Sequence, residues 1–379
     1  MRNPKQPCTP KPIYFSRRVL GTALASVLSA SSAGVLATES KVLNIYNWSD
    51  YIHPDAIADF QAATGIKVNY DVYDSNEVLE AKLMSGGTGY DLVVPTGSFL
   101  ERHLQANIYA AIEHGQLRNY ANLDPVLLEK VARHDQANRH SVPYAWGTIG
   151  LGYNLAQVGA RLGDQPTDSL DLIFKPELAA KLADCGIAIL DSPAEVVSIA
   201  LNYLGLDPNS ENKADLKQAA ELMRAARPHI KYFNSSSYIS DLANGEVCVA
   251  LGYNGDVLQA QGRATDAGQG VEVGYAIPKE GTLVWFDLLA IPADAPHKDA
   301  ALKFIDFVLK PDTAAAISNY VYYAVPNQAA TPFLDEAVRG NPGIYPAAAV
   351  KAKLFTQNAH TPKYDRLLTR AWSDIKTGR

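Results

Sequence analysis

Hydrophobic and polar positions alternate along the first part of the chain in a pattern that predicts short strands followed by helices. The predicted strands cover residues 43–46, 66–72 and 91–95, and the predicted helices cover residues 55–63 and 77–84. Pro54 and Gly65 fit the two ends of the first helix, because proline is tolerated in a first turn and glycine favours a C-terminal cap. This βαβαβ order predicts a parallel sheet covered by helices.

The same alternation returns after residue 147, and the chain becomes mostly helical from residue 297 onward. The predicted strands here cover 150–154, 187–190, 247–252, 271–277 and 286–291, and the predicted helices cover 298–309, 312–321, 347–355 and 363–376, with another beginning near Asp256. Two Ser-x-x-Glu patterns, at 98–101 and 192–195, are capping boxes that predict the start of a helix. We therefore expect an α/β fold of two lobes, with the cleft between them as the default ligand site.

The first 37 residues have the pattern of a cleaved export signal. Residues 1–18 contain five basic side chains and no acid, and residues 19–36 are apolar but rich in Gly, Ser and Thr. This stretch is too weakly apolar for a membrane-spanning helix, and small residues favour cleavage after Ala37. The pair Arg17-Arg18 fits a twin-arginine signal as well as a general secretory one. We expect a periplasmic mature protein, exported by either route.

Composition and charge narrow the classes of function. The chain has 379 residues, of which 47% are hydrophobic and 20% are charged, so about two domains with a sizeable core are expected. Without residues 1–37 the chain carries 29 basic and 40 acidic side chains. A body this acidic is a poor candidate for binding nucleic acid or an anionic membrane, and it suits a cationic partner.

Sequence motifs for covalent chemistry are absent. The chain has no phosphate-binding loop, no dinucleotide fingerprint and no Gly-x-Ser-x-Gly nucleophile elbow. Its eight histidines are scattered, and the spacing of His134 and His140 fits no common zinc motif. These absences argue against an exported enzyme, and they predict no cofactor and no metal.

Two cysteines remain once Cys8 is removed with the export signal. Cys185 and Cys248 each border a predicted strand. In an oxidising compartment an even pair favours a disulfide, and two buried free thiols are the alternative.

Six short segments carry a family resemblance. They are 46–52 (YNWSDYI), 90–95 (YDLVVP), 99–102 (FLER), 241–245 (DLANG), 341–346 (NPGIYP) and 371–372 (AW). They resemble the periplasmic polyamine-binding proteins of ABC importers, most closely the putrescine-binding branch, and the resemblance runs from about residue 41 to the C-terminus. It implies a type II periplasmic-binding-protein fold of two α/β lobes joined by a hinge, with an interlobe ligand cleft. Lobe 1 would comprise 38–146 and 278–328, and lobe 2 would comprise 147–277 and 329–379.

The resemblance also implies a function and a set of ligand-binding residues. A diamine needs carboxylates for its two ammonium groups and aromatic faces for its alkyl chain. By position, the family's ligand-binding residues correspond to Trp48, Ser49, Asp50, Tyr51, Thr96, Ser98, Phe99, Glu195, Tyr253, Asp256, Trp285, Asp287, Tyr323 and Gln357. The implied protein is a monomer that captures putrescine, spermidine or both and delivers the ligand to the membrane permease of an ABC importer.

Several of these residues have a structural alternative. Ser98 and Glu195 also occupy capping boxes, so a role in helix capping is open for both. Asp256 fits an acidic residue in a first helical turn as well as a ligand carboxylate. Asp287 lies in an apolar run, where an unpaired carboxylate is costly, so it needs a partner.

The predicted pocket mixes features of two branches of the family. Thr96 replaces a serine of the putrescine branch and keeps the hydroxyl, and Tyr253 replaces a tryptophan. Trp285 and Gln357 replace phenylalanine and leucine, and both resemble the spermidine-preferring branch. The length of the ligand therefore stays open.

Two other functions in the same compartment stay open at this point. A ferric-ion carrier of similar architecture would use Tyr322 and Tyr323 as ligands. A polyamine sensor would use the same binding site but signal through a membrane partner.

Overall fold

The computed structural model describes residues 41–378, and the predicted export signal over residues 1–37 lies outside them. Nine strands are present in the described part of the chain. They are β1 (Val42–Trp48), β2 (Lys67–Tyr73), β3 (Leu92–Val93), β4 (Ser141–Asn154), β5 (Ile187–Ile189), β6 (Ile230–Phe233), β7 (Val249–Tyr253), β8 (Val273–Ala276) and β9 (Val284–Ala290).

Sixteen α-helices accompany the strands in residues 41–378. They are α1 (Pro54–Thr64), α2 (Asn76–Met84), α3 (Gly97–Gln105), α4 (Pro125–Val131), α5 (Leu155–Leu162), α6 (Asp171–Phe174), α7 (Pro176–Leu182), α8 (Pro193–Tyr203), α9 (Lys213–Ala226), α10 (Ser237–Ala243), α11 (Asn254–Ala267), α12 (Lys298–Val308), α13 (Pro311–Val321), α14 (Glu336–Arg339), α15 (Ala348–Lys351) and α16 (Pro362–Thr377). Within the described residues, no helix is long and apolar enough to cross a membrane.

The strands follow one path, β2-β1-β3-β9-β4-β7-β5-β6, and β8 pairs with β4 at the side. β1 lies parallel to β2 and β3, as the βαβαβ pattern predicts, and β5 lies parallel to β6 and β7. The long strand β4 joins the two parallel groups. Its first half pairs antiparallel with β9, and its second half pairs antiparallel with β7 and β8. The chain therefore builds two parallel α/β halves that share one central strand.

Buried apolar side chains give each half its core. Leu43, Ile45 and Leu92 are almost fully buried in the half around β1, and Ile187 and Leu251 are fully buried in the half around β5. Burying a side chain of this size stabilises the fold by about 1.5–3 kcal/mol. The predicted lobe boundaries at 146/147, 277/278 and 328/329 stay predictions.

The ends of α1 and α3 show which local sequence signals predicted the structure correctly and which did not. Pro54 begins α1, and Gly65 caps its end with a left-handed φ of 68°, as predicted. The capping box predicted at 98–101 is wrong, because Thr96 is the N-cap of α3 and Ser98 lies within the helix. The Thr96 side chain makes no capping bond there. The side chain instead makes a long-range hydrogen bond, described below, that a local sequence pattern does not reveal.

Several elements were absent from the sequence prediction, and three others were predicted with wrong bounds. Missing from the prediction were α4 to α7, α9, α10, α14 and β6. The strand predicted over 150–154 begins at Ser141 and is the long strand β4. The helix predicted over 347–355 shortens to α15, and the buried strand predicted over 91–95 shortens to β3. α10 matters most for function, because it lies beside the cavity described below.

A disulfide joins Cys185 and Cys248, whose Cα atoms lie 5.5 Å apart. Both residues are buried, Cys185 after α7 and Cys248 immediately before β7. The predicted disulfide is therefore confirmed in the structure, and the free-thiol alternative is wrong. The disulfide links the turn before β5 to the start of β7, the neighbouring strand in the sheet.

Candidate functional site

A cavity of about 450 Å³, partly open to solvent, lies between the two halves of the sheet. One wall comes from the loop after β1, the start of α3 and β9, and the other comes from the start of α8, the segment before α10 and the start of α11. The lining residues are Trp48, Ser49, Tyr51, Tyr73, Asp74, Thr96, Glu195, Ser235, Ser236, Ile239, Tyr253, Asp256, Trp285, Asp287 and Tyr323. None of these described lining residues is basic. The wall is therefore acidic and aromatic.

Asp287 lies on β9 in the apolar interior, and only 4% of its surface is exposed. The Thr96 hydroxyl donates to Asp287 Oδ1 over 2.6 Å, and the Tyr51 hydroxyl donates to Asp287 Oδ2 over 2.8 Å. The pKa of Asp287 rises to about 7, chiefly because of burial; the two hydroxyl bonds oppose the rise, and the negative charge of Glu195 adds to it. The predicted partner of this carboxylate is thus a pair of neutral hydroxyls.

Asn76 fixes the direction in which Thr96 donates. The Asn76 side-chain amide donates to Thr96 Oγ1 over 2.9 Å, and the Thr96 backbone N–H donates to Asn76 Oδ1 over 3.1 Å. Because the amide occupies a lone pair of the hydroxyl, the hydroxyl hydrogen is left for Asp287. The first residue of α2 therefore orients a cavity residue that stands twenty positions further along the chain.

Asp256 lies in the first turn of α11, directly after β7. The hydroxyls of Tyr238 and Tyr323 donate to its two carboxylate oxygens, each over 2.6 Å. Burial raises the pKa of Asp256 to about 6, and these two bonds oppose the rise. The negative charge of Asp50 raises this pKa and the positive charge of Arg263 lowers it, both by smaller amounts.

Two glycines allow both tyrosines to reach Asp256. A Cβ atom at Gly252 would lie 2.4 Å from the ring of Tyr238, and one at Gly255 would lie 2.5 Å from the ring of Tyr323. Real side chains do not approach so closely, so any larger residue would push the rings away from the carboxylate. The sequence around Asp256 thus makes room for its hydrogen-bond donors.

Glu195 lies in the first turn of α8, and 2% of its surface is exposed. Its Oε2 accepts a hydrogen bond from the Tyr253 hydroxyl over 2.7 Å. Burial raises its pKa, and hydrogen bonds with Tyr253 and Ser192 oppose the rise. Ser192 is the N-cap of α8, as predicted, but its side chain makes no capping bond. Glu195 therefore lines the cavity from the first turn of α8, and its role in ligand binding stays a prediction.

Aromatic rings line the cavity together with the three carboxylates. The rings of Trp285 and Tyr323 meet edge to face with centroids 5.1 Å apart, and Trp285 meets Tyr253 in the same manner at 6.0 Å. Trp48 contacts Tyr253 at 6.2 Å and donates its indole N–H to the Val94 carbonyl oxygen over 2.9 Å. Such ring faces attract cations and also bury alkyl groups.

Four of the fourteen predicted ligand residues lie outside the lining. Asp50 adopts a left-handed φ of 53° and forms an ion pair with Arg263 over 2.8 Å. Ser98 and Gln357 line a smaller pocket of about 230 Å³ that shares Thr96 and Trp285 with the cavity. The fourth, Phe99, is buried beneath the guanidinium of Arg102, at 4.4 Å from its ring centroid. The other ten predicted residues line the cavity together.

Sequence reasoning missed five lining residues, namely Tyr73, Asp74, Ser235, Ser236 and Ile239. Tyr73 ends β2 and Asp74 follows it, at the same sheet edge as Trp48, and the end of a parallel strand is a signal that could have found them. Ser235 and Ser236 belong to the segment between β6 and α10, and Ile239 lies in α10; neither β6 nor α10 was predicted.

The fold and the cavity define a solute-binding protein: two α/β halves enclose a buried, acidic and aromatic site. The profile of the bacterial extracellular solute-binding protein family matches residues 55–344, and the chain belongs to this family. The family consists of transport proteins that bind solutes.

Individual relatives are closely similar over nearly the whole chain. The putrescine-binding periplasmic protein PotF of Escherichia coli strain K12 is 53% identical over 367 residues, which cover 96% of this chain and 99% of that protein. The putrescine-binding periplasmic protein SpuD of Pseudomonas aeruginosa strain UCBPP-PA14 is 50% identical over 360 residues, covering 94% and 98%.

A solved structure agrees with this assignment. A putative spermidine/putrescine ABC transporter protein from Listeria monocytogenes superimposes with a TM-score of 0.81 at 32% identity, covering 90% of this chain and 100% of that one. These similarities confirm the predicted resemblance to polyamine-binding proteins and the predicted two-lobe α/β fold.

Proposed function

We propose that the protein binds a polyamine dication in the periplasm and delivers it to the membrane permease of an ABC importer. One observation carries the proposal: three buried carboxylates, Glu195, Asp256 and Asp287, line one aromatic cavity and accept only hydroxyl bonds in the described lining. Ionised carboxylates buried in this way call for a cation. The relatives named for putrescine binding support the same ligand class.

The chemistry of a diamine matches the order of groups in the cavity. Its terminal ammonium groups would pair with the carboxylates of Asp256 and Asp287, and its alkyl chain would lie against Trp285 and Tyr253. A cation over such a ring gains about 0.5–2 kcal/mol, and a hydrogen bond to a charged group contributes about 1.5–3 kcal/mol. Glu195 adds a further negative charge near Asp287. A ligand with one amine would pair with Asp256 or with Asp287 but not with both.

Contacts across the cavity support lobe closure as the mechanism. Arg102 of α3 binds Glu80 of α2 through two bonds of 2.6 and 2.7 Å, and it also binds Asp365 of α16 over 2.7 Å. α16 packs on α8 and α9, which lie between β5 and β6 along the chain, so Arg102 joins the two halves. On this proposal the lobes over 38–146 with 278–328 and 147–277 with 329–379 close around the ligand, and the closed form is presented to the permease.

The small pocket next to the cavity bears on the length of the polyamine. Ser98, Trp285 and Gln357 line this pocket, and among the described residues the Ser98 hydroxyl has no hydrogen-bond partner. Because this hydroxyl can accept a hydrogen bond from an additional amine group, the site suits spermidine as well as putrescine.

Titration calorimetry on the mature protein tests the proposal. Putrescine and spermidine should bind with dissociation constants near micromolar, which corresponds to about -8 kcal/mol. Butylamine serves as the matched control, because it has the same chain with one ammonium group, and it should bind at least a hundredfold more weakly. Glutamate, sugars and ferric ion should give no heat. If no polyamine gives heat or a thermal shift, the proposal is wrong.

The ferric-ion alternative receives no support from the site. It needs Tyr322 and Tyr323 in one site, whereas only Tyr323 lines the cavity, with its hydroxyl bonded to Asp256. The sensor alternative uses the same ligand site. Deleting the permease genes separates import from sensing, because only import requires the permease.

The same proposal includes no covalent chemistry, a monomeric state and no nucleic-acid binding. It also includes export of the protein by the general secretory or the twin-arginine route, directed by residues 1–37, which are then cleaved. Native mass spectrometry of protein purified without denaturation would report the mass of the bound ligand and the number of copies together.

A further inference from the structure

Tyr238 lies on α10 immediately behind the cavity and does not line it. It is fully buried, and its ring packs where Gly252 leaves out a side chain. Its hydroxyl donates to Asp256 Oδ2 over 2.6 Å and accepts the backbone N–H of Tyr253 over 3.0 Å. Because that N–H occupies a lone pair of the hydroxyl, the hydroxyl hydrogen is directed to the carboxylate.

We propose that Tyr238 is a positioning residue of the ligand site, which orients the Asp256 carboxylate and stabilises its charged form before the ligand arrives. The inference rests on the proposed function, since it takes a ligand ammonium as the partner of Asp256. Tyr323 holds the other carboxylate oxygen from the cavity side. The carboxylate is therefore held between a hydroxyl in the core and a hydroxyl in the wall.

The charged and titratable groups around Asp256 determine how its pKa changes when the Tyr238 hydroxyl is removed. Tyr238 and Tyr323 lower the pKa of Asp256 through hydrogen bonds, Arg263 lowers it through its charge, and Asp50 raises it. Since a hydrogen bond to a carboxylate favours the ionised form, removing the Tyr238 hydroxyl raises the pKa of Asp256. A neutral Asp256 must then lose its proton before it can pair with an ammonium group.

The test compares putrescine affinity across pH in two tyrosine-to-phenylalanine variants. Tyr238→Phe removes the hydroxyl that donates to Asp256. The matched control is Tyr232→Phe, because the Tyr232 hydroxyl donates to Asp241, a carboxylate on the same helix that lies outside the cavity lining. Affinity is measured by calorimetry from about pH 6 to about pH 8.5, where putrescine stays doubly charged.

Because the pKa of Asp256 is about 6, we expect Tyr238→Phe to bind putrescine about fivefold more weakly than wild type near pH 6 and about twofold more weakly near pH 7, with the difference closing near pH 8.5. The midpoint of the Asp256 step in its affinity profile should move upward by about one pH unit, which corresponds to one hydrogen bond to a charged group. Tyr232→Phe should follow the wild-type profile. A role confined to packing would instead weaken binding equally at every pH, and that result would overturn the inference.

The remaining outcomes are also decisive. A wild type that binds no diamine overturns the proposed function and this inference with it, whereas a wild type that binds while Tyr238→Phe keeps the wild-type profile overturns the inference alone. If Tyr238→Phe does not fold, 3-fluorotyrosine is inserted at position 238, because fluorine keeps the ring and makes the hydroxyl a stronger donor. The midpoint should then move down, and an unchanged midpoint would count against Tyr238.

Discussion

Replacing Asp287 by asparagine removes one buried charge while it keeps the shape of the side chain. In the structure this carboxylate accepts bonds only from the hydroxyls of Thr96 and Tyr51 among the described residues. A ligand ammonium would add a charge-assisted hydrogen bond, which contributes about 1.5–3 kcal/mol. Asp287→Asn should therefore weaken putrescine binding about tenfold to a hundredfold in calorimetry.

The same substitution should stabilise the ligand-free protein. An aspartate with a raised pKa in the folded state destabilises the fold when it ionises, so the cost builds up above the unfolded value and is complete above the folded one. Burial raises the pKa of Asp287 from 3.8 to about 7, which corresponds to a cost on the order of 4 kcal/mol above about pH 7. The Tyr51 hydroxyl must turn to accept a hydrogen bond from the new amide. This change offsets about 1 kcal/mol or more of the gain in stability. The melting temperature should rise by a few degrees.

A buried aspartate outside the cavity provides the matched control. Asp135 is 2% exposed and accepts bonds from the backbone and ring of His140 and from the hydroxyl of Ser141. Asp135→Asn should lower the melting temperature and leave putrescine affinity unchanged. If Asp287→Asn behaves like this control, Asp287 is a structural residue and its place in the ligand site is refuted.

Three further predictions follow from the same contacts. Because the pKa values of Asp256 and Asp287 rise to about 6 and about 7, putrescine affinity should increase with pH up to about pH 8, with protons released on binding; calorimetry in buffers of different ionisation enthalpy measures this, and a flat profile would contradict it. Asp365→Asn removes the negative charge that pairs with Arg102 across the cleft, so it should weaken affinity about threefold and favour the open form in small-angle scattering, whereas Glu336→Gln, which alters a surface pair elsewhere, should change neither. Cys185→Ser with Cys248→Ser should lower the free energy of unfolding by about 4 kcal/mol and leave affinity unchanged; peptide mapping that finds both thiols free in wild type would remove the basis of this prediction.

The sequence predicted best what depends on neighbouring residues or on a whole family motif. The ends of α1 were predicted because Pro54 and Gly65 act locally. Ten cavity residues were predicted because segments such as 46–52 resemble one family. The position of α3 was predicted, but its first residues were not, since the Thr96 side chain bonds to Asp287 and Asn76 rather than to its own helix.

The missed part of the site depends on contacts between distant segments. Ser235, Ser236 and Ile239 reach the cavity because β6 pairs in parallel with β5, some forty residues earlier. No local pattern marks that pairing, and β6 is only four residues long. Tyr238 was missed for a related reason, since a buried tyrosine in a short helix looks like core until the position of Asp256 is known.

The choice of hydroxyl partners explains how such a site can be both stable and ready for a ligand. If lysine or arginine paired with Asp256 and Asp287, the ion pairs would satisfy the carboxylates, and a ligand ammonium would have to displace them. With no donors at all, the buried carboxylates would take up protons and lose their attraction for a cation. Hydroxyls from Tyr51, Thr96, Tyr238 and Tyr323 stabilise the charges without neutralising them. The negative charge therefore remains available for the ligand. At neutral pH the ligand-free protein bears the free-energy cost of burying this charge, and the bound ligand removes that cost.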